Sequence, residues 1–143
     1  MSLLSSTLKG LAKKGEILHD FTLADKKWVF KGLTSEEQAT ALSMVDPDYL
    51  KTKYKSDKLI PYNDVMNQLR TTALITMSLQ SIDSQPPVDT EKTEQEQFEQ
   101  RRELFDELLA LDSGMKEELR KEYNKLIKKQ NEFWQDLSEN VEK

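Results

Sequence analysis

The sequence predicts a mainly α protein: a small α+β N-terminal domain with one β-hairpin, followed by a C-terminal antiparallel helical hairpin. Three observations carry that prediction. Residues 17–31 hold two strand-like runs around a polar turn, and from residue 62 onward apolar residues recur at steps of three and four. A proline pair, Pro86-Pro87, parts the chain where its charge balance changes, from net +1 over residues 1–87 to net −6 over residues 88–143. Proline cannot continue a helix and favours extended backbone before it. The domains are therefore expected at 1–83 and 94–143, joined by a linker at 84–93. Val88 is the one apolar residue beside the prolines, so few core contacts are expected to cross the linker.

Composition narrows the function classes. Of 143 residues, 36% are hydrophobic and 33% charged, which implies a modest core and extensively solvated helix surfaces. No apolar run approaches the ~20 residues of a membrane-spanning helix. Leu3, Leu4, Leu8 and Leu11 are interleaved with polar residues, unlike a secretory signal. The chain has no cysteine and one histidine, so neither a disulfide framework, a thiolate nucleophile nor a His/Cys metal site is expected. A net charge of −5 argues against general attraction to nucleic acid. A soluble, non-catalytic protein without cofactor or metal is the expectation.

In chain order, residues 2–14 have leucines at helical spacing and can form a short amphipathic helix that needs a docking surface. Residues 17–23 and 28–31 are the hairpin strands, with Ala24-Asp25-Lys26-Lys27 as the turn. Thr34-Ser35-Glu36-Glu37 is a capping-box pattern, opening a helix to about Val45 with Ala39, Leu42 and Met44 or Val45 inward. Asp46-Pro47-Asp48 stops it, and a lysine-rich run, Lys51-Thr52-Lys53-Tyr54-Lys55 with Lys58, follows. A central helix is expected from Pro61 to Ile82, with Tyr62, Met66, Leu69, Ala73 and Met77 on one face and enough further apolar residues to be touched on several sides. Beyond the linker, residues 93–111 and 115–141 carry helical stripes, separated by Asp112-Ser113-Gly114 with Gly114 in a left-handed break.

Candidate chemistry is sparse. His19 beside Asp20 suggests acid–base work only superficially, because strand neighbours point to opposite faces and no nucleophile motif accompanies them. The acidic residues at 91, 94, 96 and 99 lack the glycine-centred calcium loop and read as a solvated face. The lysine run with its tyrosines has the pattern of single-strand binders, but within an acidic chain it reads as a solvated loop.

The C-terminal stripe offers a working surface instead. Phe133 and Trp134 are adjacent, hence ~100° apart around a helix, and cannot share one seam. Leu119, Leu126, Phe133 and Leu137 suffice for the seam, which turns Trp134, with Gln130 and Ile127 on its side, toward a partner. The candidate partner-binding residues are Trp134, Phe133, Leu137 and Ile127, with Met66 and Met77 on the central helix as the second location. The partner is a helix of another protein or a second copy of this chain.

Four stretches carry a family resemblance. They are Gly15-Glu16-Ile17-Leu18-His19-Asp20-Phe21 with Trp28-Val29-Phe30, then Leu33-Thr34-Ser35-Glu36-Glu37, then residues 70–83 ending in Ile82-Asp83, and finally Tyr123-Asn124-Lys125-Leu126-Ile127-Lys128-Lys129-Gln130. Over about residues 15–135 the chain resembles the tail assembly chaperones of tailed bacteriophages. A glycine commonly follows the Ile-Asp pair in that family, and Ser84 stands there in this chain. The resemblance implies no catalytic residues and a role in holding a long, aggregation-prone helical tape-measure or baseplate-hub protein in the host cytoplasm until the tail polymerises. Two other classes stand beside it: a structural component of the tail hub, neck or baseplate retained in the virion, and a small acidic inhibitor or adaptor of a host protein.

Overall fold

The computed structural model describes residues 4, 6, 7, 16–46, 48 and 63–142, with the side chains of 63–65 and 137–142 outside the described set. Most of the expected helix over 2–14, the lysine run with Lys58, Pro61 and Tyr62, and the side chains of Leu137 and Val141 therefore lie outside the described residues.

The hairpin forms as β1 (Leu18–Leu23) and β2 (Lys26–Lys31), with Leu23 opposite Lys26. The turn is two residues rather than four. Ala24 and Asp25 both take positive φ, 53° and 62°, the geometry whose twist matches paired strands even without glycine. The capping box at Thr34 and Glu37 opens α1 (Ser35–Leu42). Ala41, Met44 and Val45 point inward, whereas Ala39 and Leu42 are exposed, a helix rotated by about one residue from the expected face. The inward stripe is the one that also brings Glu37 to Lys31.

The central helix is shorter than expected. After α2 (Asn63–Ser78) the chain extends as β3 (Leu79–Ile82), which pairs antiparallel with β2 and makes the sheet three-stranded in the order β1-β2-β3. Leu79 and Ile82 are three apart and suit a helix stripe, but the free edge of β2 claims them: Phe30 opposes Leu79 and Trp28 opposes Ile82, with the register shifted between Val29 and Phe30. Two side chains fix the change of conformation. Ser78 Oγ donates to the Lys31 carbonyl at 2.6 Å, and Arg101 Nη1 donates to the carbonyls of Thr76 and Leu79 at 2.8 and 2.7 Å. Asp83 and Ser84 then turn the chain with φ of 50° and 67°, and Asp83 Oδ1 accepts from the Lys27 amide at 2.7 Å. Ser84 thus occupies a left-handed position, which costs a non-glycine residue about 1 kcal/mol.

A second capping box, Thr93 with Glu96, opens α3 (Glu94–Leu109). In α4 (Ser113–Glu142) Gly114 is an ordinary helical residue, not a left-handed break. Asp112 does the work expected of the glycine, its Oδ1 accepting from the Met115 amide at 2.9 Å.

Core contacts cross the proline pair, contrary to the expectation of few. Trp28, Phe30, Ile75 and Leu79 share one buried cluster with Leu108, Leu119, Tyr123 and Leu126. Phe105 of α3 closes a second cluster with Ala41, Met44, Val45, Leu69 and Ala73. Nor do α3 and α4 zip mainly onto each other: each packs more closely on α2, and α4 also covers β1 and β2. A sheet with one apolar face and a helix that is apolar on several sides bury more surface under those helices than a two-helix seam could.

Candidate functional site

Thirty residues make α4 about 45 Å long. Its first half is committed to the core through Leu119, Tyr123 and Leu126, each less than a tenth exposed. Farther along it crosses the corner where β2 passes into α1. Gly32 stands at the crossing, and a Cβ there would run into the Gln130 side chain, coming within 2.7 Å of its Cδ. Glycine is what lets Gln130 lie against this corner.

One turn beyond Gln130, Trp134 overhangs the corner and is 41% exposed, whereas the other tryptophan, Trp28, is 5% exposed. Trp134 and Gln130 wall an open groove of 340 Å³ whose opposite side is Lys31, Gly32, Leu33, Glu37 and Glu16. Lys31 Nζ and Glu37 Oε2 pair at 2.6 Å, both side chains under a third exposed. Burial alone would raise the Glu37 pKa, but the bonds from Lys31 and the Thr34 amide hold it below the usual carboxylate range. The groove therefore joins a flat aromatic surface, a glycine-thinned backbone and a compensated ion pair. It can seat a partner side chain and carries no reactive group.

The expected site residues separate. Phe133 is half-buried, its ring meeting Trp134 edge-on at 5.2 Å, so these two do form one patch. Ile127 does not share Trp134's outward surface: it packs on the cluster around Trp28 and Phe30, because at that height the helix still lies over the sheet. Met66 and Met77 pack half-buried against the Phe105 cluster, apart from the groove. Leu137 lies on α4 with its side chain outside the described residues. The groove wall over residues 31–37 was missed by sequence reasoning; its one signal was Gly32, a glycine directly after a strand.

His19 has a structural role, not an acid–base one. It is 6% exposed under α4, its Nε2 2.6 Å from Glu122 Oε2 and its Nδ1 2.7 Å from Lys129 Nζ. An ammonium only donates, so Nδ1 accepts from Lys129 and the Nε2–H donates to Glu122, which assigns the tautomer. The ring thus latches β1 to α4. Asp20 points away, 3.8 Å from Lys27 on the exposed side. Burial would raise the Glu122 pKa, but hydrogen bonds from His19 and Lys125 hold it below the usual range. A carboxylate depressed in the folded state stabilises it fully above its unfolded value, about 4.3, and that stability is lost as pH falls through the folded value. Glu122→Gln is expected to lower the thermal midpoint at neutral pH and to flatten part of its fall in acid, leaving the share owed to Glu37. An unchanged profile of midpoint against pH would remove the latch.

Among the described residues, no group of three or more His, Asp or Glu converges as a metal site, and no helix is long and apolar enough to cross a membrane. No family model, curated protein or solved structure matches this chain.

Proposed function

We propose that this chain is a non-catalytic assembly chaperone of the phage-tail type, which holds a long helical tape-measure or hub protein through the Trp134 end of α4 in the host cytoplasm. The observation that carries the reading is the exposed indole on the overhanging helix, beside an open groove. Tryptophan is one of the side chains most enriched among interface anchors, and an amphipathic partner helix docks by inserting such anchors and receiving them in grooves. The resemblance of residues 15–135 to the tail assembly chaperones supplies the partner class.

Trp134→Ala is expected to weaken binding to a tape-measure or hub fragment by at least ~2 kcal/mol, about thirtyfold, measured by calorimetric titration. The thermal midpoint should move by no more than a few degrees, because the ring is far from fully buried. Undiminished binding by the folded variant would overturn the assignment and move the search to α2 around Met66 and Met77. Mass spectrometry of purified particles tests the role itself: a chaperone is strongly depleted there, whereas a structural component of the hub, neck or baseplate is retained.

A further inference from the structure

A second groove of 350 Å³ runs between α3 and the segment that follows β3. Its floor is apolar, from Leu79, Ile82 and Leu104, and Pro86 and Pro87 form one bank. The opposite bank is Glu103 and Glu107, both exposed and one helical turn apart. Like charges at that spacing repel. Among the described residues neither carboxylate has an ion pair or hydrogen bond, and no lysine or arginine lines the groove. The facing bank of two prolines offers carbonyl acceptors and no N–H donor. Glu99, a further turn back on α3, is also exposed and extends the negative bank.

We propose that this groove is a docking site for an arginine-bearing basic segment of a partner protein. An arginine matches it in two parts. The aliphatic stem lies on Ile82 and Leu104, as long cationic side chains do on apolar surface. The planar guanidinium, with five donors in a fixed fork, bridges carboxylates one turn apart. Lysine offers the same charge as a point and fits the two-carboxylate bank less well. Phosphate-bearing ligands are repelled by the same bank. The site is separate from the Trp134 groove and does not depend on the chaperone reading.

The test uses the full chain and an alanine-based helical peptide of about 15 residues, with two leucines and two arginines at i,i+4 spacing. Its control is the same peptide with citrulline, which keeps the shape and loses the charge. Amide chemical shifts are expected to move at residues 79–88 and 103–107 on titration with the arginine peptide. Affinity should fall at least tenfold with the citrulline peptide and at least tenfold with the Glu103→Gln/Glu107→Gln chain. It should also fall severalfold between low and high salt, as exposed charge pairs are screened. Both positions are exposed, so the double variant keeps its fold, which its thermal midpoint verifies. Equal binding of the citrulline peptide, undiminished binding by the double variant, or shifts centred on Trp134 would each sink the proposal. Concentration-dependent dimerisation abolished by the double variant would overturn it in favour of a second copy. Loss of partner binding in Trp134→Ala alone bears on the first groove and leaves this one standing.

Discussion

Phe105→Ala is expected to destabilise the whole molecule by about 3–5 kcal/mol, the usual cost of emptying a fully buried aromatic site. Phe105 is completely buried, and the other buried members of its cluster, Ala41, Met44, Val45, Leu69 and Ala73, all precede the proline pair. A domain has about 5–15 kcal/mol of stability in total, so this loss is a large share of it. The cooperative consequence matters more than the size. Because Phe105 belongs to the C-terminal stretch but fills a core made by α1 and α2, its removal should lower a single transition rather than one of two. By the same reasoning a chain ending at residue 83 should not fold, since Phe30, Ile75 and Leu79 would lose Leu108, Leu119, Tyr123 and Leu126 together. Urea melts followed by tryptophan fluorescence and by circular dichroism decide it. Coincident transitions are expected, and a truncated chain with a native-like melt would restore independent domains.

Arg101→Met is expected to cost about 2–4 kcal/mol, from two charge-assisted hydrogen bonds lost and two carbonyls left without their donor. Methionine keeps most of the stem, so packing changes little. Arg101 reaches from α3 to the Thr76 and Leu79 carbonyls, where α2 ends and β3 begins. Burial pushes its pKa down, and the negative charge of Glu37 works against that shift. The guanidinium is therefore the donor that lets α2 stop at Ser78 and the chain continue as a strand from Leu79. Amide hydrogen exchange should accelerate most at residues 76–82, ahead of the rest of the chain. A loss below about 0.5 kcal/mol, the range of ordinary surface substitutions, would show that β2 alone holds β3 in place.

The hairpin, both long C-terminal helices and the capping box at Thr34 were legible because each is local. Alternating apolar runs, a Thr-x-x-Glu pattern and steps of three and four are set within one or two turns of chain. The exposed Trp134 was legible for the same reason, since adjacent Phe133 and Trp134 cannot face one way on a helix. The strand Leu79–Ile82 was not, because two apolar residues three apart satisfy a helix stripe and a bulged strand alike. What separates the two is a free strand edge fifty residues earlier and an arginine twenty residues later.

The sequence by itself determined the hairpin and most of the helices, where most of them begin, and that Trp134 stands exposed on α4. Only the tertiary structure decided what covers what. The linker prolines interrupt the backbone, and interruption of a helix says nothing about whether the flanking segments share a core. That is settled by surface complementarity: one apolar sheet face and an α2 with apolar residues on several sides need more cover than residues 1–83 provide, and α3 and α4 supply it. The same packing buried Ile127, joined His19 to Glu122 and Lys129 across more than a hundred residues, and set Glu103 and Glu107 beside an apolar floor. Such pairings depend on distances through space, which local periodicity does not encode.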